Sequence, residues 1–438
     1  MGFVPALGRH AGGVFQYSAA LTTALTEITA ADRRVEPVAL LPAGATDGGS
    51  ALQAAGWSTT SLMPPAGALR RALSKAIGKG AHRDALNRLR GLAGARSHGA
   101  PGSADLSVIA HRADLAAWWR QQRVDLVLFP QPHPFAFEVG LPYVIAVHDL
   151  QHRLQPEFEE VSGDGEWSRR EYILRNCIAR AERVLVDSDL GKEHVLFFYE
   201  AYGARAERVD VLPFVPAPAV TRAVGAEEQL AVRRRHGIPD QYLLYPAAFW
   251  PHKNHARIIE ALERLANARG MRVHAVFCGS HTDPLRERHF RLLMDMAAQC
   301  GVSAQVHVPG YVSDDELAAL YAGASALVMP TFFGPTNIPV IEAWAHGCPV
   351  LTSDIPGIRE QVGDAAILVE PRAVDALADA IHRLLTDAAL RRDLAVRGMA
   401  RLSGYTPLQF RQRLHDTLLR ASGRPPTAVA ASSAGAGR

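Results

Sequence analysis

Cysteine is scarce in this 438-residue chain: Cys177, Cys278, Cys300 and Cys348 are scattered, and none forms a C-x-x-C pair. That spacing argues against a disulfide framework or a structural zinc site and fits a reducing cytoplasm. Long apolar runs are missing as well. The longest, such as Tyr242–Tyr245 and Val195–Tyr199, fall far short of the roughly 18 residues that span a bilayer. No basic segment opens the N-terminus, and Arg9 and His10 interrupt its apolar stretch, so no signal peptide is expected. Charge of one sign is not in excess either: 47 Lys and Arg against 44 Asp and Glu leave +3, too balanced to point to nucleic acid. Also absent are a G-x-G-x-x-G turn after a strand and any G-x-x-x-x-G-K-[ST], so dinucleotide and P-loop readings lack their phosphate cradles.

What is present is globular, with 48% apolar and 21% charged residues, and long enough for two to three domains. Short β-branched runs alternate with longer helical patterns, which predicts parallel α/β architecture. In the first half Val38–Leu41, Val124–Phe129, Tyr143–Val147, Val184–Val186 and Val209–Leu212 read as buried strands, with helices near Val14–Thr29, Trp167–Ala181 and Lys192–Tyr202. The first strand, before Gly12-Gly13, is either very short or cut by a late start. The alternation restarts with strands at Tyr242–Tyr245, Val273–Phe277, Val306–Val308, Ala326–Met329 and Ile367–Val369. Helices near His255–Ala268, Asp314–Ala322, Val340–His346, Val374–Leu385 and Leu390–Leu402 separate them. The expectation is two doubly wound Rossmann-like domains facing a cleft, residues 1–215 and 216–405, joined across Pro213–Gly237. A helix over 406–423, with Leu408, Phe410, Leu414, Leu418 and Leu419 as its stripe, is expected to cross back to the first domain, and 424–438 to be a disordered tail. Residues 64–101 hold eight Lys/Arg against Asp84 alone. Leu69, Leu73 and Ile77 recur there at helical spacing, so this basic insertion reads as a solvated segment or as one that touches a membrane surface or an acidic acceptor.

Three motifs carry chemistry. Gly12-Gly13 before a helix lets backbone amides approach a phosphate or sugar, although a plain tight turn uses the same pair. In Tyr245-Pro-Ala-Ala-Phe-Trp-Pro-His-Lys-Asn254 the chain leaves a strand, turns at Pro251 and presents Lys253 before a helix. A cation at that place suits an anionic ligand, with an ordinary surface lysine as the plain alternative. The third motif runs from Val308-Pro-Gly-Tyr-Val-Ser-Asp-Asp-Glu-Leu through Met329-Pro-Thr-Phe-Phe-Gly-Pro-Thr-Asn-Ile-Pro-Val-Ile-Glu-Ala-Trp-Ala-His-Gly-Cys-Pro-Val350. It resembles the nucleotide-sugar half of retaining glycosyltransferases of the family-four type (glycosyltransferase group 1), which have the two-domain GT-B fold. The resemblance extends over nearly the whole chain through Gly12-Gly13, Val147-His148-Asp149, Lys253, Gly310-Tyr311-Val312 and Ile338-Pro339-x-x-Glu342-Ala343.

The resemblance implies a role for each matched residue. Glu342 would accept hydrogen bonds from the donor's ribose, with a dipole-favoured helix-start carboxylate as the alternative. Lys253 would offset the diphosphate charge that grows on departure, and Ile338 and Val340 would offer backbone amides to the same phosphates. Gly310, Tyr311 and Val312 would line the base pocket. His148 would hydrogen-bond the transferring sugar and Asp149 orient it, the alternative being a buried structural histidine; a metal held by His148 and His152 lacks a third ligand. Two departures stand out. The family's second glutamate is Gly334 here, leaving Thr336 and Asn337 as substitutes, and an arginine five residues before the lysine is Ala248, leaving His252 or Arg9 for the second positive charge. Ser188, Ser353, Asp354 and Glu360 read as turn and helix caps.

The function so implied is metal-independent, cofactor-free transfer of a sugar, mannose first, from a nucleotide diphosphate sugar to a glycan or lipid-linked acceptor in surface-polysaccharide synthesis. Its setting would be cytoplasmic, with peripheral contact at the inner membrane face. No carboxylate pair suits a covalent intermediate, and the resemblance implies that retention comes from front-face attack, which spacing alone would not show. Two rivals remain: a nucleotide-sugar epimerase, which needs acid/base carboxylates around the sugar where none is evident near Gly334–Asn337, and a catalytically weak glycan-binding subunit.

Overall fold

The computed structural model describes residues 1–6, 12–42, 45–64 and 109–424. Arg9, the basic stretch with Leu69, Leu73 and Ile77, and the tail beyond Arg424 lie outside the described residues.

The first domain supplies strands β1 (Gly2–Phe3), β2 (Val38–Leu41), β3 (Ser58–Ser61), β4 (Val127–Phe129), β5 (Tyr143–Ala146), β6 (Arg183–Val186) and β7 (Val209–Val211). The second supplies β8 (Leu243–Pro246), β9 (Ala275–Cys278), β10 (Val306–Gly310), β11 (Ala326–Met329), β12 (Val350–Ser353) and β13 (Ile367–Val369). Their orders are β3-β2-β1-β4-β5-β6-β7 and β10-β9-β8-β11-β12-β13. Neighbours such as β1 and β4, or β8 and β9, run parallel. Every residue of β4, β5, β11 and β12 is buried, which a parallel sheet covered by helices on both faces requires. Chain order reverses once in each sheet, between β1 and β4 and between β8 and β11. Strands diverging from such a point leave a crevice at their carboxyl ends, and the two crevices open toward one another.

The helix Pro407–Ala421 leaves the second domain and packs on the first. Phe410, Leu414, Leu418 and Ala421 join a core with Phe3, Tyr17, Leu21, Leu25 and Ile28. Arg411 pairs with Glu27 at 2.8 Å and Arg420 with Asp210 at 3.0 Å along its flanks. Leu408 departs from the expected stripe, being 51% exposed in the first turn, before the helix reaches the core. Phe214, in the segment between the sheets, packs against the cores of both domains.

Several sequence expectations change at their edges. β1 is two residues long yet sits mid-sheet, with Gly2 paired to both Val38 and Val127. β4 begins at Val127 and β9 at Ala275, because Val124 and Val273 pack in the cores from the preceding turns. The sequence reading missed β3 and β12, and it missed the helices Ala113–Gln121, Ala226–His236 and Pro284–Gln299. The segment Pro213–Gly237 thus contains a helix, and Gly237 closes it at φ 62°.

Candidate active site

Both crevices share one cavity of about 520 Å³, lined by Gly12, Gly13, His148 and Asp149 from the first domain and by Lys253 and the segment Phe333–Pro339 from the second. A side cavity of about 200 Å³ opens from the same glycines past Ala247 and Ala248 to Tyr311, Val312 and Glu342.

The lysine turn is fixed from behind. Asn254 takes the left-handed conformation at φ 61°, which asparagine tolerates, and its amide donates to Pro330 O at 2.7 Å and Pro371 O at 2.8 Å. Tyr245 donates to Lys253 O at 2.8 Å. The ammonium is thereby held in the cleft, where burial pushes its pKa down to about 8 against the opposing pull of Asp149 and Glu160.

His252, one candidate for the second positive charge, is engaged by a carboxylate of the first domain. Its Nδ1–H donates to Glu160 Oε1 at 2.7 Å across the domain boundary, yet burial still lowers its pKa below the ordinary 6.5, so the ring is neutral at pH 7. His148 is also held neutral by burial. Its Nε2 lies 2.7 Å from the carbonyl of Pro130, which can only accept, so Nε2 carries the proton and Nδ1 is left as an acceptor. Tyr17 packs edge-on against the ring at 4.8 Å. Asp149 Oδ1 accepts from the Gln151 N–H and from Arg170, each at 3.1 Å. His152 turns away from His148 into a buried network with Glu171 and Tyr199, and it lies on the short helix Gln151–Leu154 rather than at a strand end.

Glu342 is 4% exposed on the helix Ile338–Ala345, accepts from Tyr321 Oη at 2.9 Å and faces the side cavity. Burial raises its pKa to about 7. Tyr311 is 54% exposed and Val312 buried at that cavity's rim, while Gly310 ends β10, its carbonyl accepting from Gly279. The start of the Ile338–Ala345 helix is pinned by Gln361, whose amide bonds both the N–H and the C=O of Asn337 at 2.9 Å. The Val340 N–H donates to Asn337 O, and Pro339 has none, so of the expected amides Ile338 is the one left to face the cavity.

The sugar-side substitutes are arranged differently from the expectation. Asn337 turns its amide toward Gly334, whose φ of 132° strains any other residue and where a Cβ, 2.9 Å from Asn337 Oδ1, would make that amide shift. The Thr336 hydroxyl donates to Asp187 Oδ2 across the cleft. A carboxylate therefore does stand beside Gly334–Asn337, contrary to the sequence reading. Asp187 is 4% exposed, accepts also from Ser188 at 3.1 Å, and is pushed by burial to a pKa of about 7. Ser188 caps the helix Asp189–Tyr199 through Gly191 N at 3.0 Å. Glu360 reaches over from the second domain to accept from the Asp189 and Leu190 amides of that same helix at 3.1 and 3.3 Å. Ser353 is the buried end of β12, its hydroxyl donating to Thr331 O at 2.6 Å, and Asp354 pairs with Arg359.

Residues 229–401 match the family Glycosyl transferases group 1. O-antigen chain mannosyltransferase B of Escherichia coli is 27% identical over 243 residues, 54% of this chain and 60% of that protein. The serotype-specific mannosyltransferase WbdA of Escherichia coli is 24% identical over 300 residues, 65% of this chain and 35% of that protein. The chain thus spans less than two thirds of the length of either relative. The crystal structure of Anabaena Alr3699/HepE in complex with UDP and glucose superposes with a TM-score of 0.67 at 17% identity, covering 95% of this chain and 98% of that one. The chain thus carries, over residues 229–401, a match to the group 1 glycosyl transferases within a two-domain GT-B fold.

Proposed function

We propose that this protein transfers a sugar, mannose first, from a nucleotide diphosphate sugar to a glycan or lipid-linked acceptor in surface-polysaccharide synthesis, with retention and without a metal. The observation that carries the reading is one cavity in which Lys253 and the Ile338 helix start face His148 and Asp149 of the other domain. The mannosyltransferase relatives and the UDP- and glucose-bound structural neighbour support the donor class. Lys253 and the Ile338 amide stabilise charge on the leaving diphosphate while Glu342 accepts from the ribose. As the bond from the anomeric carbon to the phosphate oxygen breaks, the acceptor oxygen bonds to that carbon from the same face and passes its proton to the departing oxygen. His148 Nδ1 and Asp149 hold the sugar for that attack. Our reading puts the reaction in the cytoplasm with peripheral contact at the inner membrane face; among the described residues no helix is long and apolar enough to cross a membrane.

Asp187 beside Thr336 favours one second reading, a nucleotide-sugar epimerase, because it puts an acid/base group near the sugar. The two are separated by incubating the protein with GDP-mannose and with UDP-glucose in EDTA, with and without a lipid-linked acceptor. Free nucleoside diphosphate and a glycosylated acceptor support transfer; an epimerised donor supports the second reading. Glycan binding with neither product identifies a binding subunit.

A further inference from the structure

We infer that Arg286 is the second cation of the donor site and grips the diphosphate of the nucleotide sugar, an inference that rests on the reading of this cavity as a nucleotide-sugar site. A diphosphate brings more negative charge than Lys253 alone offsets, and His252 is neutral. Along the exit of β8 the walls are Ala247 and Ala248, which contribute no charge. Arg286 lines both the main cavity and the side cavity, so its guanidinium stands where the sugar-phosphate and nucleoside ends of a donor meet.

Three further observations point to a ligand. The guanidinium lies over the Trp250 ring, 4.8 Å from its centroid, on the turn that presents Lys253. That face-to-ring contact aligns a planar donor without using any of its N–H groups. Among the described residues Arg286 has no carboxylate partner, and its Nε is buried without an acceptor. Most arginines around it are paired, Arg288 to Glu159 and Arg170 to Asp149 and Glu166 among them. Finally, Arg286 occupies the first turn of the helix Pro284–Gln299, where Asp283 caps and the dipole disfavours a cation. Helix stability does not call for an arginine there. An anion in the cavity does.

The test titrates the full-length protein and its Arg286→Gln and Arg286→Lys variants with GDP and UDP, then with GMP and UMP, by calorimetry. For the diphosphate that the parent binds, Arg286→Gln should weaken binding by about 30-fold and Arg286→Lys by less, because the charge stays while the fork is lost. The matching monophosphate should change by no more than about 3-fold, having little phosphate for Arg286 to hold. Arg286→Lys keeps the comparison available if the glutamine variant is unstable. Parent-like diphosphate affinity in Arg286→Gln, or equal losses for mono- and diphosphate, would overturn the inference while leaving the donor-site reading intact. A parent that binds neither diphosphate would overturn both.

Discussion

Replacing Lys253 with methionine removes a buried charge and keeps a chain of similar length. Burial lowers the lysine from its ordinary 10.5 to about 8, so the folded protein gives up its proton more readily than the unfolded chain. Between those values the unfolded state holds more protons and stability rises with pH; below pH 8 the full cost of burying the ammonium is present. A shift of that size corresponds to at most about 3 kcal/mol. Water reaches the cleft and screens part of it, so a gain of about 1–2 kcal/mol in Lys253→Met at pH 7 is expected. For domains of this size that is a rise of about 2–8 °C in the thermal midpoint. The advantage should shrink as pH climbs from 8 and vanish near 10.5, where the lysine is neutral in both states. Calorimetric scans from pH 6 to 10.5, without ligand, measure it. The same variant should lose the stabilisation that nucleoside diphosphate gives the parent, and its turnover should fall by about 100-fold or more. A variant less stable than the parent at pH 7, or one whose advantage is equal at pH 7 and 10.5, would refute the reasoning, because packing rather than charge would then be at work.

Glu342→Gln should raise the Michaelis constant about 10-fold with little change in turnover, and donors carrying deoxyribose should lose their disadvantage in that variant. In the parent, ribose preference should strengthen as pH rises through about 7, where the carboxyl ionises. Asp187→Asn should stabilise the unliganded protein above pH 7, because burial raises the folded carboxyl from 3.8 to about 7 and stability is lost across that interval as pH rises. Denaturation midpoints of parent and variant should converge near pH 4; a constant difference would exclude the charge as the cause. Cutting the chain after Ser403 removes Phe410, Leu414, Leu418 and Leu419, each buried, and should destabilise the protein by at least about 5 kcal/mol in urea unfolding. A cut protein that keeps its unfolding midpoint would show that the crossing helix is dispensable.

Three of the four strands at the reversal points were legible because each is an unbroken apolar run, as in Leu243–Tyr245 or Ala326–Met329, whereas the two-residue β1 offers no run to read. β12 was hidden by polarity: Thr352 and Ser353 are fully buried, and their hydroxyls donate to Met329 O and Thr331 O, so the interior accepts them where a hydropathy pattern does not. β3 is Ser-Thr-Thr-Ser on the sheet edge, half-buried and without an apolar face to read. The helix Pro284–Gln299 buries only Leu293 and Ala297 fully, too narrow a stripe to separate from its charges. The candidate site divides in the same way. Lys253 and Glu342 each follow a strand end within one continuous motif, whereas Asp187 meets Thr336 from 149 residues away and Glu160 meets His252 from 92. No local pattern carries such a meeting. The arginine and lysine runs likewise did not single out Arg286, whose distinction, the lack of a carboxylate partner among the described residues, appears only when the neighbouring arginines find theirs.

The manner in which the domains meet bears on how such a site could be filled. Near the cavity they are joined by hydrogen bonds, His252 to Glu160, Thr336 to Asp187, Gln155 to Phe332 O and the two amides on Glu360, with Phe158 against Phe332 at 5.7 Å. The neutral bond from Gln155 is worth about 0.5–1.5 kcal/mol net and those to ionised carboxylates about 1.5–3, because water replaces them on separation. The crossing helix is different: its Phe410, Leu414 and Leu418 sit in an apolar core, where separation exposes surface that water does not compensate. The contacts at the mouth are therefore polar and exchangeable with water, while those at the far end bury apolar surface. Opening takes Glu160 and Asp149 away from Lys253 and takes Thr336 away from Asp187. Burial lowers the lysine against the pull of those two carboxylates and raises the aspartate, so the two domains together set the charge around the cavity.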